Sequence, residues 1–289
     1  MNWVSINDDR CNRCGICVEG CPRCFRMNGD EIAVEANENC CSLCGHGVAL
    51  CPFGAIVHHR MDMDNFKDIS KTEIIKTDDF IQFIRERRSH RHFTKDKIPK
   101  KDLEKLIDTV RYAPTGHNDQ SVEIILMQDP IRIKRLSNLT VDHMTSVGAK
   151  SAKKLEGLKV GNKGTPEEIL QIEELVRFIE MLVQARNAGY DPIFYDVPAV
   201  AIFHSTVQTV TAKDNCVIAS TTMGLLARTM GLETTYIALF EHAAKAYPPI
   251  RDELRLPEGN QVFSVLVIGY PKFKYFQTVD RRPIRTRWE

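Results

Sequence analysis

Apolar positions along the chain change spacing as they go, and the spacing predicts the elements. From residue 77 onward helical and strand patterns alternate. "DDFIQFIRERR" places apolar residues at helical spacing behind an aspartate cap. "IPKKDLEKLIDTVRYA" sets Pro99 near a helix start and repeats Leu103, Leu106, Ile107 and Val110 on one face. "TPEEILQIEELVRFIEMLVQARNAG" predicts a long capped helix that stops at glycine. "DNCVIASTTMGLLARTMGL" predicts a buried helix, and "SVEIILMQD", "VPAVAIFH", "ETTYIALF" and "QVFSVLVIGY" predict strands. Strands separated by helices make the large region α+β or α/β. Residues 140–165, with two glycines near the end, follow neither pattern.

Residues 1–60 differ. They hold no lysine, few long apolar runs and two cysteine repeats. A piece of this size has a marginal hydrophobic core, so a bound metal centre is expected to help hold it together. The polar stretch that follows reads as a linker over 61–76, ahead of a larger domain over 77–289. With 289 residues, 43% hydrophobic and 27% charged, the composition is that of an ordinary soluble protein. A net charge of +1 argues against a polyanion binder, and no nucleic-acid partner is expected. No apolar run reaches the roughly 18–20 residues of a membrane span, and the start lacks a signal-peptide pattern. No membrane partner and a cytoplasmic location are therefore expected. Nine of the ten cysteines fall between Cys11 and Cys51, which in a reducing compartment reads as metal ligation rather than disulfides.

The two repeats are "CNRCGICVEGCP" (11–22) and "CCSLCGHGVALCP" (40–52). Laid together, Cys11, Cys14, Cys21 and Pro22 fall on Cys41, Cys44, Cys51 and Pro52, but Cys17 falls on Gly47. The spacing C-x2-C-x2-C-x3-C-P is the iron–sulfur run in which the fourth cysteine ligates the other cluster. A zinc ribbon would use the C-x2-C pairs but leaves Cys17 and both Cys-Pro steps unexplained. Residues 5–57 resemble a two-cluster bacterial ferredoxin domain. By the crossed rule, one [4Fe–4S] cluster takes Cys11, Cys14, Cys17 and Cys51. The other takes Cys21, Cys41 and Cys44 and lacks the ligand that Gly47 cannot supply. Three outcomes are open there: completion by Cys24 or Cys40, a [3Fe–4S] cluster, or an iron left to water or His46. Cys216, alone in a predicted buried helix, reads as a small core residue.

"RERRSHRHFTKDKIPKK" (85–101) is strongly basic, and Arg87, Arg88, Ser89 and Arg91 suit a phosphate, guanidinium groups giving bidentate contacts and the serine a neutral hydrogen bond. "APTGHNDQ" (113–120) is an irregular loop of the kind that carries binding groups. Together, "RRSHRHF" and "APTGHNDQ" resemble the nitroreductase family of flavoenzymes, and the resemblance runs through "YDPIFYDVPAVAIF", "GLLARTMGLETTYIALF" and "LRLPEGNQVFSVLVIGYP" over 77–289.

The resemblance implies an α+β domain with a central antiparallel-type sheet flanked by helices, and FMN as cofactor. It implies phosphate and ribityl contacts from Arg87, Arg88, Ser89 and Arg91. Pro114, Thr115, Gly116 and Asn118 match a loop that packs on the flavin of the other subunit in a homodimer. Ala238 and Leu239 match the backbone facing the pyrimidine edge, and Arg282 a basic segment near the phosphate. Gln120-Ser121-Val122 replaces the family's Gln-Pro-Trp, so a stacking tryptophan is not supplied there. His117 and Tyr236 read as a loop residue and a core residue, and Arg85, Arg285 and Arg287 as surface charges. No separate catalytic acid, base or G-x-G-x-x-G site stands out, so the flavin carries the chemistry.

The expectation is an FMN-dependent oxidoreductase. An external donor, a ferredoxin or NAD(P)H, would pass electrons through two iron–sulfur clusters to FMN and on to a small-molecule acceptor such as a nitroaromatic or quinone. The competing readings are an electron-transfer module serving a partner protein and specialised flavin chemistry on the same fold.

Overall fold

The computed structural model describes residues 2–161 and 164–289. The chain divides into one compact unit of residues 1–76 with 117–119, and a second of residues 77–116 with 120–289.

The first unit is built on two antiparallel ribbons. Strand β1 (Val4–Ile6) pairs with β4 (Ile56–His58), and β2 (Phe25–Asn28) pairs with β3 (Glu31–Val34). Each cysteine run winds into a five-residue helix, α1 (Ile16–Gly20) and α2 (His46–Leu50). The two runs repeat in backbone as well as sequence. Arg13 and Leu43 have φ of 58° and 54°, and Gly15 and Gly45 have φ of 75° and 72°. Left-handed residues at matching places give the two runs the same turn. Val4, Cys17, Cys24, Phe25, Ala36 and Ile56 form a small core to which four more cysteines contribute partly buried surface.

The second unit opens with α3 (Thr77–Glu86) and α4 (Lys100–Val110). Next come β5 (Glu123–Met127), α5 (Pro130–Gly161) and α6 (Pro166–Asn187). Then follow β6 (Ala199–Thr206), α7 (Ala212–Thr229), β7 (Glu233–Tyr236), α8 (Ala238–Ala246), α9 (Pro248–Leu254) and β8 (Asn260–Gly269). The sheet order is β5-β6-β8-β7 and every pairing is antiparallel.

Both sheet faces are covered, so the central strands read as continuous apolar runs rather than alternating ones. Along β6, Val200 and Ile202 enter a core with α5, α6, α8 and α9, while Ala199, Ala201 and Phe203 enter a second core with α4 and α7. Each fully buried side chain of the size of Phe203 or Leu106 contributes about 2 kcal/mol. The long helix α6 begins as its sequence predicts, Thr165 accepting from the Glu168 N–H at 3.1 Å, and Gly189 turns the chain at φ 90°.

Three expectations are corrected. "ETTYIALF" is a strand only to Tyr236. The Ile237 N–H bonds the Val265 carbonyl, the sheet ends, and α8 begins at Ala238. Residues 140–161 belong to the 32-residue helix α5, with Gly148 in its body because a Cβ there would lie 3.0 Å from Ile179 of α6; residues 162 and 163 lie outside the described set. Tyr236 is 44% exposed, not core, with its hydroxyl 2.8 Å from Thr221 Oγ1. Cys216 is fully buried among the residues of the second core. Among the described residues no helix is long and apolar enough to cross a membrane.

Candidate functional site

In the first unit, Cys11, Cys14, Cys17 and Cys51 line one cleft, walled by Ile6, Ile16, Ile32, Phe53 and Ile56. These are the four thiols that the crossed rule assigns to the complete cluster. Burial pushes the Cys17 thiol up, and the neighbouring Cys11 and Cys51 add to that. A bound cation reverses the balance, since a coordinated thiol is deprotonated outright. Among the described residues no three His, Cys, Asp or Glu side chains converge on a point that would hold a single metal ion. A tetrahedral zinc needs its sulfurs about 2.3 Å from one centre. An iron–sulfur cube places each thiolate on a different iron, so four thiols spread around an apolar cleft fit the cluster better than the ion.

Of the remaining cysteines of the runs, Cys21, Cys24, Cys40 and Cys41 belong to the same small core, while Cys44 is exposed. Cys24 is buried, its Sγ 3.6 Å from Cys40 Sγ, and burial followed by contact with Cys40 and Cys21 pushes its thiol up. Cys41 Sγ lies 3.4 Å from Nε2 of the buried His58. The Arg60 backbone N–H donates to His58 Nδ1 at 3.2 Å, so Nε2 carries the proton and donates to the sulfur. Burial, and secondarily His59, holds the His58 pKa below its ordinary value, keeping the ring neutral. His46, for which the sequence offers a loop place near the cluster or a ligand's role, is exposed at the start of α2. His58 was missed because seventeen residues separate it from Cys41.

In the second unit the predicted residues fall into groups. Arg87, Arg88, Ser89 and Arg91 follow α3 on a segment laid along the edge strand β7. The His90 N–H bonds the Thr234 carbonyl at 3.3 Å, and the Thr235 hydroxyl donates to the His90 carbonyl. Beneath this segment lies an ionic cluster that sequence reading did not find. Arg228 pairs with Glu233 and, at 2.9 Å, with Glu86. His90 Nε2 stands 3.6 Å from Glu233, beyond hydrogen-bond distance. Burial, then Arg228 and Arg88, holds the His90 pKa down to about 4, so the ring is neutral near pH 7 and this contact is no ion pair. Burial raises the Glu233 pKa while Arg228 and Arg87 oppose it. Arg87 and Arg88 are half-buried, Ser89 and Arg91 exposed. Arg88 and His90 both meet Tyr275, at 5.9 Å from its ring centroid and 4.9 Å between centroids.

Ala238 and Leu239 open α8 directly after β7, with Ala238 exposed. Helix-start N–H groups and the positive end of the helix dipole suit electron-rich atoms. Pro114, Thr115 and Gly116 form a separate group fixed to the start of α7. Asn215 Oδ1 accepts the Gly116 N–H at 3.0 Å, and a Cβ on Gly116 would run into Thr211. The Gln120 N–H reaches Thr115 Oγ1 at 3.1 Å. Asn118 does not join them. It belongs to the first compact unit, its side-chain amide donating to the Ser42 carbonyl at 2.9 Å. Arg282 lies in the exposed C-terminal segment, and the part of that segment that meets Arg88 and His90 is Tyr275.

Residues 84–270 match the nitroreductase family. A protein of Archaeoglobus fulgidus, provisionally named an NADH dehydrogenase/NAD(P)H nitroreductase, is 25% identical over 219 residues, 72% of this chain and 98% of its own. Among solved structures, a Bacteroides fragilis nitroreductase with bound FMN aligns over 74% of this chain and 100% of its own, with TM-score 0.56 and 17% identity. A Desulfitobacterium hafniense nitroreductase with bound FMN aligns over 75% and 100%, with TM-score 0.54 and 16% identity. At those identities the likeness is one of fold.

Proposed function

Because the chain belongs to the nitroreductase family, we propose that it is an FMN-dependent oxidoreductase whose N-terminal unit carries two iron–sulfur clusters. When bound, FMN supplies two-electron redox chemistry and the clusters supply single-electron transfer. The donor is a ferredoxin-type carrier or NAD(P)H, and the acceptor a small molecule of the nitroaromatic or quinone class. The single observation that carries the iron–sulfur part is the cleft lined by Cys11, Cys14, Cys17 and Cys51, thiols up to 40 residues apart in sequence.

The chain's own residues divide the work. Arg87 and Arg88 offer charge-assisted hydrogen bonds to a phosphate, with Ser89 and Arg91 exposed beside them. Neutral His90 adds no charge beneath, and the Arg228 charge is met by Glu233 and Glu86, so the positive charge offered to a phosphate is that of the motif's arginines. The first turn of α8, at Ala238 and Leu239, presents backbone donors to the pyrimidine edge. Pro114, Thr115 and Gly116 are braced for a flavin belonging to a second copy, which makes the working form a homodimer. Its support is the apolar stripe of α3, where Phe80, Ile81 and Ile84 are all exposed in the single chain.

The test is turnover of a nitroaromatic or quinone by purified protein with reduced ferredoxin or NAD(P)H as the sole donor. Turnover supports an enzyme. Electron delivery only to a protein partner supports the electron-transfer module instead.

A further inference from the structure

We propose that the second cluster takes its fourth thiolate from Cys24, giving the ligand set Cys21, Cys24, Cys41 and Cys44. The proposal rests on the iron–sulfur reading above and concerns which residue completes it.

Position 47 is closed to a thiol by its surroundings. A Cβ on Gly47 would stand 2.7 Å from Cε2 and 3.0 Å from Cζ of Phe25. Phe25 is 2% exposed and opens β2, paired with Val34, so strand pairing and the small core fix its ring. The loop itself is intact, since Leu43 and Gly45 repeat the left-handed geometry of Arg13 and Gly15. The cluster cradle is therefore kept and one ligand position is filled by a phenylalanine ring.

The residue next to that phenylalanine is a cysteine. Cys24 follows Cys21 in a tight turn, its N–H bonding the Cys21 carbonyl at 3.0 Å, and the Glu35 N–H binds the Cys24 carbonyl at 2.9 Å. The backbone thus holds Cys24 in place, and its thiol contacts Cys21, already a ligand by the crossed rule. Cys40 is the competitor. Its Sγ stands 3.6 Å from Cys24 Sγ. Cys40 Sγ is engaged by its own turn, donating to the Glu35 carbonyl at 3.1 Å and accepting the Asn37 N–H at 3.4 Å. The partners of the Cys24 thiol are sulfurs. Coordination forms one iron–sulfur bond, releases the Cys24 thiol proton to solvent and moves no electron.

The experiment uses the full chain purified without oxygen, scored by iron and acid-labile sulfide per chain and by electron paramagnetic resonance before and after dithionite. Wild type should hold about eight irons with no stoichiometric three-iron signal. Cys24→Ala should fall to about seven irons with that signal, or to about four, while keeping the reduced signal of the first cluster as the check on folding. Cys40→Ala should keep about eight. Adding Phe25→Ala and Gly47→Cys to the Cys24 variant should restore the lost iron. If Cys24→Ala does not fold, the isosteric Cys24→Ser decides, by lost iron or a changed spectrum of the second cluster. Eight irons retained in the Cys24 variant, or iron lost from the Cys40 variant alone, overturns the assignment. A stoichiometric three-iron signal in wild type overturns the assignment and leaves the iron–sulfur reading standing. Wild type without iron overturns both.

Discussion

Replacing His90 with glutamine should make the second unit less sensitive to acid, because His90 is buried in a place that refuses a proton. His90 is 5% exposed, Arg228, Arg88 and Glu233 are its charged neighbours, and burial followed by the two arginines brings its pKa from the ordinary 6.5 to about 4. Between those values the unfolded chain binds a proton at this residue and the folded chain does not, so stability falls as pH is lowered through that window. It is fully present above pH 6.5 and lost on approaching pH 4. A shift of this size corresponds to roughly 3 kcal/mol. With a urea slope of about 2–3 kcal/mol per molar, the wild-type midpoint should drop by about 1 M over the window from this group alone. His90→Gln removes the titration and, at pH 7, the edge contact with Tyr275, a loss of about 0.5–1.5 kcal/mol. The variant is therefore expected to start below wild type at pH 7 and to converge with it or overtake it near pH 4.5. Urea unfolding followed by circular dichroism at half-unit pH steps gives both curves. Parallel curves would falsify the buried-neutral assignment of His90 beneath the arginine motif.

Other residues yield further expectations. His58→Leu removes the neutral N–H donor to Cys41, a hydrogen bond of about 0.5–1.5 kcal/mol, and should lower the second cluster's midpoint potential by roughly 20–60 mV. A redox titration with an unmoved potential contradicts that contact. Arg87→Ala should weaken FMN retention by roughly 10- to 100-fold, measured as flavin release on dilution, and an unchanged Kd removes Arg87 from the phosphate site. Gly116→Ala drives a methyl into Thr211 and should cost about 1–3 kcal/mol. Combining it with Thr211→Ala should recover part of that loss, and strict additivity of the two costs would contradict the contact.

Much of this was legible in the chain because the signals were local. The period of the apolar residues located α4, α6, α7 and the strands β5, β6 and β8, and the spacing of the cysteine runs grouped the four thiols of one cleft. What escaped depended on contacts distant in sequence. "IALF" after β7 is as apolar as a strand, and only the end of pairing with β8 turns it into a helix. Gly148 looks like a breaker until its close approach to Ile179 across two long helices is seen. His58, outside the motif, meets the Cys41 sulfur, and no spacing rule brings the two together. Asn118 shares a loop with Gly116 but bonds Ser42, because His117 and Asn118 both turn left-handed between them. The absent cysteine at position 47 is explained by Phe25, which no spacing rule names.

The central claim is that clusters held by the N-terminal cysteines feed the flavin site. It is tested most directly by rapid mixing of the oxygen-free holoprotein with reduced ferredoxin, following cluster and flavin absorbance together. The wild type is compared with a Cys14→Ser, Cys44→Ser double variant that keeps FMN. The account predicts flavin reduction in the wild type and at least a roughly tenfold slower reduction in the variant, that is, about 1.4 kcal/mol or more on the rate-limiting barrier. Equal rates of flavin reduction in the two proteins would contradict it.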